Sequence, residues 1–242
     1  MSKVRLDQLV VDRGLLPSRE RARAMILAGQ VTVDGQVVSK AGAPIDQAAV
    51  VTVLAPDHPY VGRGGIKLAH ALDTFGIAVE GREALDIGAS TGGFTDVLLQ
   101  RGAARVVALD VGHGQLDWRL RNEPRVVVIE HFNARHLTAA DLPRPVDFVC
   151  IDVSFISLRH ILPVIPPVVR PGADVVALVK PQFEAGRSEA GSGIVRDDAV
   201  HARVVEEIRG AAAAVGLTPA GVTPSPITGQ KGNVEFLLHL RA

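Results

Sequence analysis

The pattern of apolar and polar positions changes period twice along the chain. Over the first thirty residues the spacing is helical. Leu6, Leu9 and Val10 share one face of a segment that Gly14 stops. Ala22, Met25 and Ile26 line a second segment, which Ser18 caps and Gly29 ends in the left-handed position. Period two then takes over. "VTVDGQVV" (31–38) predicts a hairpin with Asp34-Gly35 as its two-residue turn, and "AVVTVLA" (49–55) a third strand. Residues 1–58 thus read as a small αα-β-β-β domain.

Proline and glycine interrupt the pattern next, and residues 59–64 read as a linker. A larger domain is expected over 65–242. It begins with a helix over 65–75 whose apolar stripe is Leu68, Ala71, Leu72 and Phe75, with Lys67 off the stripe in the first turn. Apolar strand runs follow at 83–88, 104–111, 125–130, 146–153 and 174–180, with helical segments between several of them. A long helix over 197–217 and two closing strands near 220–226 and 233–240 complete the pattern. Fully apolar strands alternating with helices predict a mostly parallel sheet covered on both faces. Seven strands, the last antiparallel, make this a doubly wound α/β domain.

The composition suits such a core and narrows the function. Of 242 residues, 47% are apolar and only 4% aromatic, so Ala and Val carry the packing; Trp118 and Phe155 are expected in the core. No apolar run approaches the ~20 residues that span a bilayer, and the N-terminus carries no secretory signal, so a cytoplasmic protein is expected. Cys150 is the only cysteine, which excludes an intrachain disulfide and a cysteine-based metal site; no metal is expected. Formal net charge is zero, so any polyanion contact must be local. Such a patch exists. Residues 1–30 carry Lys3, Arg5, Arg13, Arg19, Arg21 and Arg23 against Asp7, Asp12 and Glu20, with Arg19 and Arg23 one turn apart on a single helix face.

"LDIGASTGGFTDVLL" is a strand, a glycine-rich turn and a helix. Its spacing, Gly88-x-x-x-Gly92-Gly93, is not that of a dinucleotide loop. Asp86-x-Gly88 suits S-adenosylmethionine better, with the glycines admitting the methionine moiety close to the backbone. Asp110, followed by Val111, ends the second strand ~22 residues after Gly88, where an acid accepts ribose hydroxyls. Asn133 offers an amide to the adenine edge. Four charged residues also fall at element ends: Lys67 in the first turn of its helix, Asp152 after the fourth strand, Lys180 at the end of the fifth and Glu235 in the last. Together they make a Lys-Asp-Lys-Glu site. An alcohol attacks a sulfonium methyl only if its proton has somewhere to go. A neutral lysine can take it, once burial and a second ammonium bring it down from ~10.4.

Two resemblances sharpen these readings. "RLDQLVVDRGLLPSRERARAMILAGQVTVDGQVV" resembles the S4-type RNA-binding module, which implies RNA contact through Arg5, Arg19 and Arg23. "RGGIKL", "LDIGASTGGFTD", "ALDVGHGQL", "FNAR", "CIDVSFISL", "LVKPQFE" and "GNVEFLLHL" resemble the TlyA (haemolysin A) family, which joins that module to a domain similar to the FtsJ/RrmJ ribose methyltransferases. The resemblance implies a Rossmann-like, seven-stranded methyltransferase domain behind the α+β module. It implies 2′-O-methylation of cytidine in ribosomal RNA, within a ribosomal subunit, with S-adenosylmethionine as donor. The tetrad carries over to Lys67, Asp152, Lys180 and Glu235. The cofactor loop carries over to residues 86–93, which brings in Ala89, Ser90 and Thr91. Arg63 matches the family's linker arginine, and the chain's short tail after Glu235 resembles the type that modifies large-subunit RNA alone. Arg187 and Arg196, in the glycine-rich loop after Lys180, are further candidates for phosphates. Three other functions compete: a membrane-active haemolysin, a catalytically silent assembly factor that binds RNA, and a small-molecule methyltransferase. Oligomeric state is not legible.

Overall fold

The computed structural model of the chain describes residues 3–242 except 17, 28, 55–57, 187, 188, 190, 192, 230 and 231, and except the side chain of residue 24. Its contacts divide into two units, Met1–Pro59 and Tyr60–Ala242.

In the small unit, strand β1 (Lys3–Arg5) leads into helices α1 (Leu6–Asp12) and α2 (Arg19–Leu27). Strands β2 (Val31–Val33), β3 (Gln36–Val37), β4 (Pro44–Asp46) and β5 (Val51–Val53) follow. The hairpin turn forms as expected, with both Asp34 and Gly35 at positive φ. Ser18 Oγ accepts the Arg21 N–H at 3.2 Å, which caps α2, and Gly29 takes φ +72 after it. Strands β1 and β4, which pair antiparallel through Val4 and Ile45, add to the sequence reading. "KVR" and "PID" each hold one apolar residue, too few for a period-two signal. Leu6, Leu9, Val10, Ala22, Ile26, Val31 and Val51 form the core.

The large unit opens with α3 (Gly64–Phe75) and then alternates β6 (Glu83–Ile87), α4 (Gly93–Gln100), β7 (Arg105–Leu109), α5 (Trp118–Arg121), β8 (Val126–Ile129), β9 (Val146–Ile151) and β10 (Val169–Val179). A short α6 (Pro181–Glu184), the long α7 (Asp198–Ala214), β11 (Thr218–Pro224) and β12 (Phe236–Arg241) complete it. The seven strands form one sheet in the order β11-β12-β10-β9-β6-β7-β8. Strands β6 to β10 pair in parallel, and β12 runs antiparallel to both its neighbours. The chain winds outward from β6 through β7 and β8 and then crosses back to β9, so the order reverses at β6. Between β8 and β9, and between β9 and β10, only 3-10 turns form (for example Leu158–His160 and Leu162–Val164), because prolines 143, 145, 163, 166 and 167 break longer helices.

Alternate residues of the central strands enter two cores. Val149 and Ile151 of β9 and Val175, Ala177 and Val179 of β10 face the core that α7 covers with Val204 and Ile208. Phe148, Cys150, Val176 and Leu178 face the core under α3 and α4. Both faces are dry, which explains strands without polar alternation. Trp118 and Phe155 are not in either core: they are 65% and 87% exposed, which corrects the expectation for both. Trp118 opens the short α5 at the surface, and Phe155 lies in the turn after β9 at φ +63. Phe148 is fully buried at the middle of the sheet. Phe148→Ala should cost about 3–5 kcal/mol, measured as a drop in unfolding free energy in urea. A drop below about 1 kcal/mol would contradict this packing.

Candidate active site

The reversal of strand order places a cleft at the carboxyl ends of β6, β7 and β9. Its volume is about 530 Å³, and Gly88, Asp110, Val111, Asn133, Asp152 and Phe155 are among the residues that line it. A second hollow of about 140 Å³ adjoins it, lined by Gly64, Gly88, Ala89, Ser90, Thr91, Gly93, Phe94 and Asp152. Gly88 takes φ +86, and a Cβ there would lie 2.3 Å from the Asp152 carbonyl oxygen. Only glycine fits, for conformation and for space. Gly92 caps α4 at φ +95. Asp110 accepts the Ser90 N–H at 2.8 Å and the Gly112 N–H at 2.7 Å, so one carboxylate ties together the loops after β6 and β7. Each of its oxygens keeps a further lone pair toward the cleft. Asn133 Oδ1 accepts the Arg135 N–H at 3.1 Å, so recognition by Asn133 falls to its amide Nδ2.

Asp86 lines neither hollow. It is fully buried beneath the loop, where it accepts the Thr95 hydroxyl at 2.7 Å and so holds the first turn of α4. It therefore stands under the glycine loop and does not line either hollow. Burial pushes its carboxyl up to about 7, the charge of Asp152 adds to this, and the Thr95 hydrogen bond opposes it.

The four charged residues come to the same end of the sheet in two pairs. Lys67 in α3 donates to Glu235 Oε2, and both side chains are almost fully buried. Lys180, the residue after β10, lies with its Nζ 2.6 Å from Asp152 Oδ1 and donates to Ser154 Oγ at 2.8 Å. The Lys180–Asp152 contact is an ion pair out of line for a hydrogen bond, since no donor aims at Asp152 Oδ1 among the described residues. The antiparallel register, Val179 opposite Phe236, makes Lys180 and Glu235 neighbours across the strands. Gln182 Nε2 reaches Glu235 Oε1 at 3.5 Å and so adds to the Lys67–Glu235 pair. Glu235 precedes β12 rather than opening it. Ser154, Gln182 and Phe155 are site residues the sequence reading missed. Nothing in their spacing sets them apart from turn residues; only the fold brings Ser154 to Lys180, Gln182 to Glu235 and Phe155 to Phe183. Phe155 packs on Phe183 with ring centroids 5.1 Å apart, and Lys180 Nζ lies 5.9 Å from the Phe183 ring centre.

Of the arginines expected to meet phosphates, Arg5, Arg19 and Arg23 converge on Asp7 in the small unit. Arg63 precedes α3, and its Nη2 donates to the Thr228 carbonyl at 3.4 Å. Arg196 is exposed, and Arg187 lies outside the described residues.

Comparison with known proteins gives the family of both units. Residues 60–242 match the FtsJ-like methyltransferase family, and residues 4–51 match the S4 domain. The chain belongs to the FtsJ-like methyltransferase family. It is 49% identical over 241 residues to the Mycobacterium tuberculosis 16S/23S rRNA (cytidine-2′-O)-methyltransferase TlyA, covering 99% of this chain and 90% of that one. A solved structure titled a putative hemolysin from Streptococcus thermophilus shares 45% identity at TM-score 0.79, covering 100% of this chain and 89% of its own. An S-adenosylmethionine-dependent methyltransferase from Mesorhizobium loti shares the fold alone, at 15% identity and TM-score 0.54 over 75% of this chain and 100% of its own.

A raised carboxyl in this FtsJ-like domain has a consequence for stability. Asp86 holds its proton longer when folded, so its contribution to stability is complete below the unfolded value of ~3.9 and is lost as pH rises toward about 7. Asp86→Asn keeps an acceptor for Thr95 and removes that pH dependence. Thermal melts should show the variant gaining on the parent from about pH 4 to 7 and levelling above. A constant gap across that range would contradict the assignment.

Proposed function

We propose that the protein is a ribosomal RNA (cytidine-2′-O)-methyltransferase that uses S-adenosylmethionine, acts on 23S rRNA, alone or together with 16S rRNA, and works in the cytoplasm on a ribosomal subunit. The observation that carries this reading is the pairing of two buried lysines with two carboxylates beside a glycine-cradled cleft.

The cofactor fits the residues present. Gly88 lines the cleft with its backbone, Asp110 offers carboxylate lone pairs for the ribose hydroxyls, and Asn133 lines the same cleft. When bound, S-adenosylmethionine supplies a methyl group already activated on sulfonium sulfur. What remains for the protein is to position a ribose hydroxyl and take its proton. Lys180 Nζ would take up that proton, which requires the amine in place of the ammonium paired with Asp152; moving the methyl carbon from sulfur to the ribose oxygen would break the S–C bond and leave S-adenosylhomocysteine. Asp152 and Ser154 hold the Lys180 amine in place. Lys67 and Glu235 form the second pair at this end of the sheet, where the Lys67 ammonium would stabilise negative charge building on the ribose oxygen. Proton removal of this kind contributes roughly 10²–10⁴-fold, and alignment contributes further. Phe155, exposed at the rim, presents a face on which a base can stack. The exposed arginines of the small unit supply phosphate contacts. A relative from Brachyspira hyodysenteriae, 43% identical over 238 residues, carries the name Hemolysin A, and no described helix is long and apolar enough to cross a membrane.

Lys180→Ala should lower methyl transfer to rRNA by at least ~10²-fold while calorimetry shows S-adenosylmethionine bound as in the parent. Near-normal turnover would overturn the role of Lys180. Asp110→Ala should instead weaken cofactor binding by about tenfold or more, and unchanged binding would remove Asp110 from the ribose site.

A further inference from the structure

In the small unit, three arginines share one carboxylate. Asp7, in the first turn of α1, has no exposed surface. Its backbone N–H donates to the Ala41 carbonyl at 2.9 Å, so the backbone at residue 7 is itself anchored. Arg5 grips the carboxylate with two parallel bonds, Nε to Oδ1 at 3.0 Å and Nη2 to Oδ2 at 2.9 Å. Arg23 Nε reaches Oδ2 at 3.0 Å and Arg19 Nη2 reaches it at 3.3 Å. The three arginine side chains come from β1 and α2, and each stays about half exposed, at 53%, 46% and 54% for Arg5, Arg19 and Arg23.

One negative charge cannot neutralise three positive ones. The cluster keeps two net positive charges and most of its N–H donors, since a guanidinium carries five. Three guanidiniums without the carboxylate would repel one another and spread over many rotamers. With it they are held on a single anchor at the surface. Space is reserved for the arrangement as well. A Cβ on Gly42 would lie 2.9 Å from Arg5 Nη1, although the Gly42 backbone is not in the left-handed region. An alanine there would make the Arg5 guanidinium shift.

We propose that Asp7 is a positioning residue which gathers Arg5, Arg19 and Arg23 into one preformed site for backbone phosphates of RNA. This rests on the RNA methyltransferase reading. It differs from simple charge attraction in a measurable sign. Asp7→Asn makes the small unit one charge more positive, so attraction alone would tighten RNA binding and steepen its salt dependence. A positioning role means the reverse: the arginines disperse and fewer phosphates are held in order.

The test uses the full-length protein and protein-free large-subunit rRNA. Asp7→Asn should bind it about fivefold or more weakly at ~0.15 M salt, with a slope of log K against log salt shallower by about one for each phosphate released. Affinity that is unchanged or tighter, with a steeper slope, overturns the proposal. If Asp7→Asn lowers the melting temperature sharply, Gly42→Ala decides, because it crowds Arg5 without touching Asp7 or the core. It should weaken binding about threefold with an unchanged melt, and full affinity would overturn the proposal. Cofactor affinity and methyl transfer by the parent are measured alongside. A parent that neither binds this RNA nor methylates any subunit sinks the functional reading, and this inference with it. An active parent with full affinity in the variants sinks this inference alone.

Discussion

A buried ammonium group must have an anion in reach, and the large unit contains two such groups. Lys67 and Lys180 are 8% and 9% exposed. Leaving either without its partner would place an uncompensated charge in the interior, at a cost of about 3–5 kcal/mol. The sheet topology meets this constraint. Strand β12 returns antiparallel beside β10, so the chain just before it passes the end of β10 and delivers Glu235 next to Lys180. Strand β9, on the other side of β10, ends at Ile151, and Asp152 follows it. Helix α3, which precedes the whole sheet, brings Lys67 to Glu235, 168 positions away in the chain. The four residues meet because three strand ends and one helix start coincide.

The cofactor half of the site depends on closeness of a different kind. Gly88 lies against the Asp152 backbone, so the glycine loop and a member of the tetrad are fixed by the same contact. Asp86 below the loop and Asp110 beside it hold its two flanks. The glycine loop and Asp152 therefore share one frame built on β6 and β9, which hydrogen-bond side by side, and the proposed proton acceptor Lys180 follows β10 on the other side of β9. Rigid placement of this sort supports catalysis by alignment.

Much of this was legible in the chain. Unbroken apolar strands foretold a sheet covered on both faces, and Lys180 stood out because it follows the run from Val175 to Val179 and precedes Pro181. Gly88 and Asp110 were readable because loop spacing after a strand has local rules. Other features were not local. The strands β1 and β4 are too short to carry a period. Asp86 shows the same letters whether it faces a ligand or supports a loop, and only its burial decides. Phe155 was expected in the core because large aromatics usually are; its positive φ turns it out to the rim of the cleft. Ser154 and Gln182 acquire meaning only through their distances to Lys180 and Glu235. The arginines of α2 read as a solvated basic face, and their common partner Asp7 is visible only in three dimensions.

The central claim is that the methyl group goes to a ribose oxygen. It is tested most directly by incubating the protein with methyl-labelled S-adenosylmethionine and separated ribosomal subunits, then digesting the RNA in alkali. Alkaline cleavage needs a free 2′-hydroxyl, so a 2′-O-methyl group protects the adjacent bond. The account predicts label in an alkali-resistant dinucleotide whose first residue is cytidine. Label released in mononucleotides would place the methyl on a base and contradict the account.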